Sequence, residues 1–185
     1  ALPAQGNKVI ADDIIRAVNY HGNNMFYVVN WTYIDRFEFI GNARIETVAW
    51  ARHKTPAVGW QSTLPNLNDP KSKFFYKHFY TDIDAKLSNL ICIKAALDCL
   101  RENNCKFIMT YMDHLLFDRK YNSTVSIEYL QDKTKPHCHT YNGKNFLDWS
   151  RANGFAESNH CHPLEDAHRA AAEHWISVVN NLIYE

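Results

Sequence analysis

The sequence predicts one α/β domain built on a mostly parallel sheet. Two runs, Met25 to Trp31 and Lys106 to Met112, are continuous in apolar, β-branched and aromatic residues, the pattern of a strand buried on both faces. The segments ahead of them, 9–20 and 71–103, carry apolar residues three and four apart, which is helical periodicity. Helix followed by strand, twice, implies crossovers that return to one sheet. With 185 residues and 46% hydrophobic content, the chain can bury a full core and reads as a single domain, 1–185.

The elements follow in order. Gly6-Asn7 is a turn signal, and Val9, Ile10, Ile14, Ile15 and Val18 then form a helical stripe that His21-Gly22-Asn23-Asn24 ends. Beyond the first strand, Thr32 and Asp35 fall where open α/β sheets place ligands, just past the carboxyl end. The alternative for Asp35, Arg36 and Glu38 is a surface ion-pair cluster of little energetic weight. Arg44 to Trp50 reads as a short strand. His53 to Asp69 is rich in Pro, Gly, Asn and Thr and reads as a surface excursion carrying Trp60, either a ligand platform or a plug against the core.

Lys71 to Asn103 is the longest helical region, broken near Thr81-Asp82, with Ile83, Leu87, Leu90, Ile93, Leu97 and Leu100 as its buried stripe. Asp113 and His114 stand at the carboxyl end of the second strand. Leu115 to Lys135 carries mixed signals and is left unassigned. Asn145 to Trp149 predicts a short helix ending at Asn153-Gly154. A last helix runs from Leu164 to about Ile183, with Pro163 at its first position and Glu165 and Asp166 in a first turn that favours negative charge.

Composition narrows the function. Twenty basic and twenty acidic side chains cancel, which gives no electrostatic footprint for nucleic acid or an anionic membrane. Aromatic residues make up 14% of the chain, enough for a generous core or a surface that stacks on sugars. Five cysteines, an odd number without a Cys-x-x-Cys pair, point to free thiols in a reducing, cytoplasmic setting. No apolar run approaches the roughly 20 residues of a membrane span, and the N-terminus carries no signal-peptide pattern.

The densest chemistry lies at Asn159-His160-Cys161-His162-Pro163. An imidazole fixed at a helix mouth can serve as general base or metal ligand. Together with His137-Cys138-His139, this stretch offers imidazoles at 137, 139, 160 and 162 for zinc, but none of the usual zinc spacings is present. No cofactor is expected. The simplest alternative is that His162 is a water-exposed helix-entry residue.

The block at 159–163, followed by a helix, resembles the last block of the SGNH hydrolases, serine esterases and lipases with a three-layer, flavodoxin-like α/β fold and helices on both sheet faces. The family block reads Asp-x-x-His, often before Pro, so the resemblance implies that His162 is the general base and that Asn159 stands where the acid would be. A neutral amide orients an imidazole but does not stabilise its cation as a carboxylate does; Glu157 or Asp113 could substitute. Gly6-Asn7 is similar to the second block, whose Gly gives an N–H to the oxyanion. Thr32, in Asn30-Trp31-Thr32-Tyr33, lies near the third block, whose Asn gives another donor. Trp31-Thr32 followed by Asp35-Arg36, Thr110-Tyr111-Met112 and His162-Pro163 looks closest to SGNH-like proteins of marine phages and bacteria.

The family's first block, which carries the nucleophilic serine, is not present, and no serine stands in a glycine-flanked strand-to-helix turn. The resemblance therefore implies either a serine supplied upstream of residue 1 or a relative without the reaction. The expected function is hydrolysis of an ester, on a carbohydrate or lipid. Two alternatives stand beside it: a non-catalytic module binding a glycan or protein through Trp50 and Trp60, and a zinc protein.

Overall fold

The structure, a computed structural model, describes residues 5–41, 59–158 and 162–184. The expected strand at 44–50, with Trp50, and residues 159–161, with Asn159 and His160, lie outside them. The elements are α1 (Asn7–His21), β1 (Phe26–Trp31), β2 (Phe37–Gly41), β3 (Gly59–Thr63), α2 (Pro70–His78), α3 (Asp82–Glu102), β4 (Lys106–Tyr111), α4 (Val125–Thr134), α5 (Phe146–Ala152) and α6 (Glu165–Tyr184).

The α/β character is present in smaller form than expected. Among the described residues β1 and β4 make a two-stranded parallel sheet, in register from Phe26 opposite Lys106 to Trp31 opposite Tyr111, while β2 and β3 form a separate antiparallel pair. Cys138 adds one parallel bridge to Met109, and the His139 N–H donates to the Met109 carbonyl at 2.7 Å.

The pleat of the parallel pair divides the core. Tyr27, Val29 and Trp31, with Met109 and Tyr111, pack against Ala11, Ile14 and Val18 of α1 and Leu90, Ile93, Leu97 and Leu100 of α3. A second cluster of Tyr141, Phe146, Trp149, Ala167 and Ala171 joins α5 to α6, and α6 touches β4. On β1 the alternate residues are open: Val28 is 74% exposed.

Asp69 caps the start of α2 by accepting from the N–H groups of Lys71 and Ser72. The helix break at 79–81 has a local cause: Thr81 caps α3 by accepting from the Asp84 N–H. The unassigned stretch holds α4, capped by Thr124.

Three expectations need correction. Residues 59–63 are a strand rather than part of an excursion, because β2 supplies an antiparallel partner. Its Trp60 indole donates to Asp12 of α1 at 2.9 Å, so it plugs that corner. Pro163 does not open α6: it pairs with Glu157 in an antiparallel bridge, and the helix starts at Glu165. Nor is Glu38 a surface residue, being 2% exposed.

Candidate functional site

The carboxyl end of the parallel pair is built by three segments: the start of α1, the turn at 32–36 and the residues after β4. Asn7, on the first turn of α1, has no exposed surface. Its Oδ1 accepts from the Thr32 N–H at 2.7 Å and its Nδ2 donates to the Thr32 carbonyl at 3.1 Å and to Asn89 Oδ1 at 2.7 Å. Asn89 donates in turn to the Ile34 carbonyl at 3.1 Å.

The pairing is that of a strand. In a parallel sheet alternate residues direct their backbone groups to opposite edges. The Trp31 carbonyl accepts from Met112, beyond β4, so Thr32, Asn30 and Val28 face the other edge. At Thr32 the Asn7 carboxamide takes the place a neighbouring peptide group would fill. Below it, a groove of about 480 Å³ runs between α1 and β1, lined by Asp13, Ile14, Tyr27, Val28, Asn30 and Thr32 among others. Among the described residues no strand pairs with that edge.

Gly6 has a steric reason to be glycine. Its N–H and that of Val9 donate to the buried Glu38 carboxylate, which also accepts from Ser62 Oγ at 3.1 Å. Glu38 thus caps α1 from a different element, a negative group at the positive end of the helix dipole. A Cβ on Gly6 would stand 2.8 Å from the Glu38 carboxyl group and 3.0 Å from the Arg36 carbonyl. The N–H expected to serve an oxyanion is directed at this carboxylate.

Asp35 lies on the far side of the turn, half-buried, on a second cavity of about 600 Å³ beyond the ends of β1 and β4. Tyr33, Tyr76, Tyr80, Asp82, Asp148 and Arg151 share its wall. Burial, and then the charge of Asp113, hold the Asp35 carboxyl above the usual carboxylate range. Asp113 is 5% exposed, and its two oxygens accept from the N–H groups of Ile34 at 3.0 Å and Leu115 at 2.9 Å, so it staples the turn to the end of β4.

His162 is exposed and held by backbone. Its carbonyl accepts from the Ser158 N–H at 2.8 Å, its N–H donates to Ser158 Oγ at 3.2 Å, and Leu164 donates to the Ala156 carbonyl at 3.0 Å. This small hairpin is joined to the 600 Å³ cavity through Glu157, which receives Arg151 Nε at 2.7 Å. That ion pair lowers the Glu157 carboxyl below its ordinary range, chiefly through the hydrogen bond. Glu157 and Asp113, the two candidate substitutes for the acid, therefore each already hold other groups.

The structure thus brings Gly6, Asn7 and Thr32 into one corner, sets Asp35 across the turn, and holds His162 on a hairpin tied to the cleft wall. Serines with described partners bond elsewhere: Ser62 to Glu38, Ser72 to Asp69 and Thr63, Ser158 to the His162 backbone. Of the metal candidates, the His139 ring packs edge-on against Trp175 at 5.3 Å, and burial lowers the His137 and His139 imidazoles below their usual value. Among the described residues no group of three or more His, Cys, Asp or Glu side chains is arranged to hold a metal. Nor is any described helix long and apolar enough to cross a membrane.

Sequence reasoning missed the cleft tyrosines, Asp148 and Arg151, and the buried polar pair Lys86 and Asn89. The last two could have been found, because both fall on the apolar stripe of α3, where a polar residue implies a buried partner.

Comparison with protein-family models, with curated proteins and with solved structures gave no match.

Proposed function

We propose that the chain carries the base and oxyanion side of an SGNH-type ester hydrolase. In this reading the three-layer, flavodoxin-like sheet is completed by a strand along the open edge of β1. The observation that carries it is the Asn7–Thr32 clamp, which holds the end of that edge in strand geometry above a groove about 480 Å³ in volume. A parallel sheet is ordinarily covered on both faces, and the exposed Val28 side chain marks a face of β1 left uncovered by the described residues.

The chemistry follows from the residue types. A serine on the added strand attacks the ester carbonyl while His162 takes its proton. The tetrahedral oxyanion collapses, the alcohol leaves with that proton, and water repeats the sequence on the acyl-enzyme. The clamp spends both Asn7 amide hydrogens, and Glu38 holds the Gly6 N–H, so the hydroxyl of Thr32, which lines the groove, is the remaining oxyanion donor of the three. Gly6 and Asn7 then act by positioning Thr32. The substrate is a small ester, on a glycan or a lipid.

The test uses the native full-length polypeptide and aryl acetates. His162→Ala is expected to lower kcat at least about a hundredfold with an unchanged melting temperature, the scale of removing a general base. Unchanged hydrolysis in that variant, or no hydrolysis by the native protein, overturns the reading.

A further inference from the structure

The cavity past the carboxyl ends of β1 and β4 has the volume of a small-molecule site, about 600 Å³, in the place where open α/β sheets bind ligands. Its described wall is one-sided in charge. Asp35, Asp82, Asp113 and Asp148 line it, against Arg151 and His114. Arg151 is engaged by Glu157, and the His114 imidazole stands 3.9 Å from Asp118.

Three of the carboxylates have uncharged donors. Asp113 holds backbone N–H groups, Asp148 accepts from Asn145 Nδ2 at 2.7 Å, and Asp82 accepts from the Tyr80 hydroxyl at 2.8 Å. Asp35 feels Arg36, but that guanidinium donates to the Gln5 carbonyl at 2.8 Å and lies over the Tyr33 ring at 5.5 Å. Burial, and then Asp113, push the Tyr33 phenol above its ordinary value against the opposing charges of Arg151 and Arg36, while burial and the hydrogen bond to Asp82 raise that of Tyr80.

We infer that this cleft binds an organic cation, an alkylammonium group facing Asp35 with its carbon atoms against the rings of Tyr33 and Tyr80. The physical reason is complementarity. Aromatic faces attract a desolvated cation, and acceptors in such excess over donors suit a positive group better than a neutral polyol, which asks for both. The inference does not depend on His162 or on an added strand.

Binding of n-butylammonium, spermidine and glucose to the full chain, followed by calorimetry or by chemical-shift changes, tests it. Saturable binding of both amines is expected at about 1 mM or tighter, with glucose at least about tenfold weaker. Asp35→Asn, at a half-exposed position, is expected to weaken the amines at least about tenfold at an unchanged melting temperature, and Tyr33→Leu to weaken them about threefold to tenfold. No saturable amine binding to the folded chain, glucose binding as tight as the amines, or affinity unmoved by both variants overturns the inference.

Discussion

On one side of the 32–36 turn, the Asn7 carboxamide makes three hydrogen bonds and the Glu38 carboxylate three more, all to groups of the fold itself. On the other side, Asp35 and its tyrosine neighbours face an open cavity whose described wall carries more carboxylates than cations. Both regions are polar, and both come from residues next to the same strand end. They differ in how their bonding capacity is used. A saturated network fixes geometry and has little left to offer a ligand, whereas a half-buried carboxylate that forms no ion pair among the described residues gains by meeting a cation.

The comparison breaks first at Asn7. Asn7→Ala leaves the Thr32 N–H and carbonyl and the Asn89 oxygen without their partner, and is expected to cost about 3–5 kcal/mol, lowering the melting temperature by about 10 °C. A shift of under about 2 °C would mean that the corner is not the fixed half. Gly6→Ala is smaller in scale, about 1–3 kcal/mol, because the added methyl must push Glu38 or the Arg36 carbonyl aside. Thermal melts of the two variants rank them, and the opposite order would contradict the contact geometry.

These corner residues show how far the sequence could be read. Gly6-Asn7 was legible as a turn signal opening a helix and Thr32 as a polar group just past a strand; helical periodicity found α1, α3 and α6, and continuous apolar runs found β1 and β4. The clamp itself was not legible, because it joins positions 25 residues apart through a side chain acting as backbone. Glu38 looked like surface charge, since its partners are helix N–H groups that no local pattern announces. The Asp35 cavity was only half visible: Asp35 follows a strand, but Tyr76, Tyr80 and Arg151 arrive from elements far away in the chain. α4 was hidden in mixed signals, although Thr124 at its cap was a usable sign.

On the open side the effects are smaller in stability. Asp35 has a raised carboxyl pKa in the fold, so its contribution is fully present below its unfolded value near 3.8 and is lost as pH rises through the raised one. Asp35→Asn is therefore expected to be no less stable than the parent at pH 7, within about 0.5 kcal/mol, and relatively less favoured toward pH 4. Chemical denaturation at the two pH values reads this, and a clear loss at pH 7 would give Asp35 a structural partner.

Tyr76 sharpens the boundary between the halves, because its hydroxyl donates to the Asp35 and Thr63 carbonyls and burial pushes it up to about 12. The stability it lends is complete below its ordinary value of 10.0 and falls as pH rises toward about 12. Tyr76→Phe should flatten that alkaline loss. An unchanged slope between pH 10 and 12 would contradict it. The least effect is expected at Cys138, which burial also pushes up to about 12, leaving it unalkylated by iodoacetamide at pH 8 while the protein is folded. Rapid labelling there, mapped by mass spectrometry, would open the edge of β4.

The account turns on the outer edge of β1, and amide hydrogen exchange of the native full-length polypeptide reads it directly. If a strand completes the sheet there, the Val28 and Asn30 amides exchange as slowly as those of Ile108 and Thr110, the β4 residues whose backbone groups face β1. If they exchange at the rate of an exposed edge while β4 stays protected, no strand carrying a nucleophile lies beside Thr32, and the hydrolase reading is contradicted.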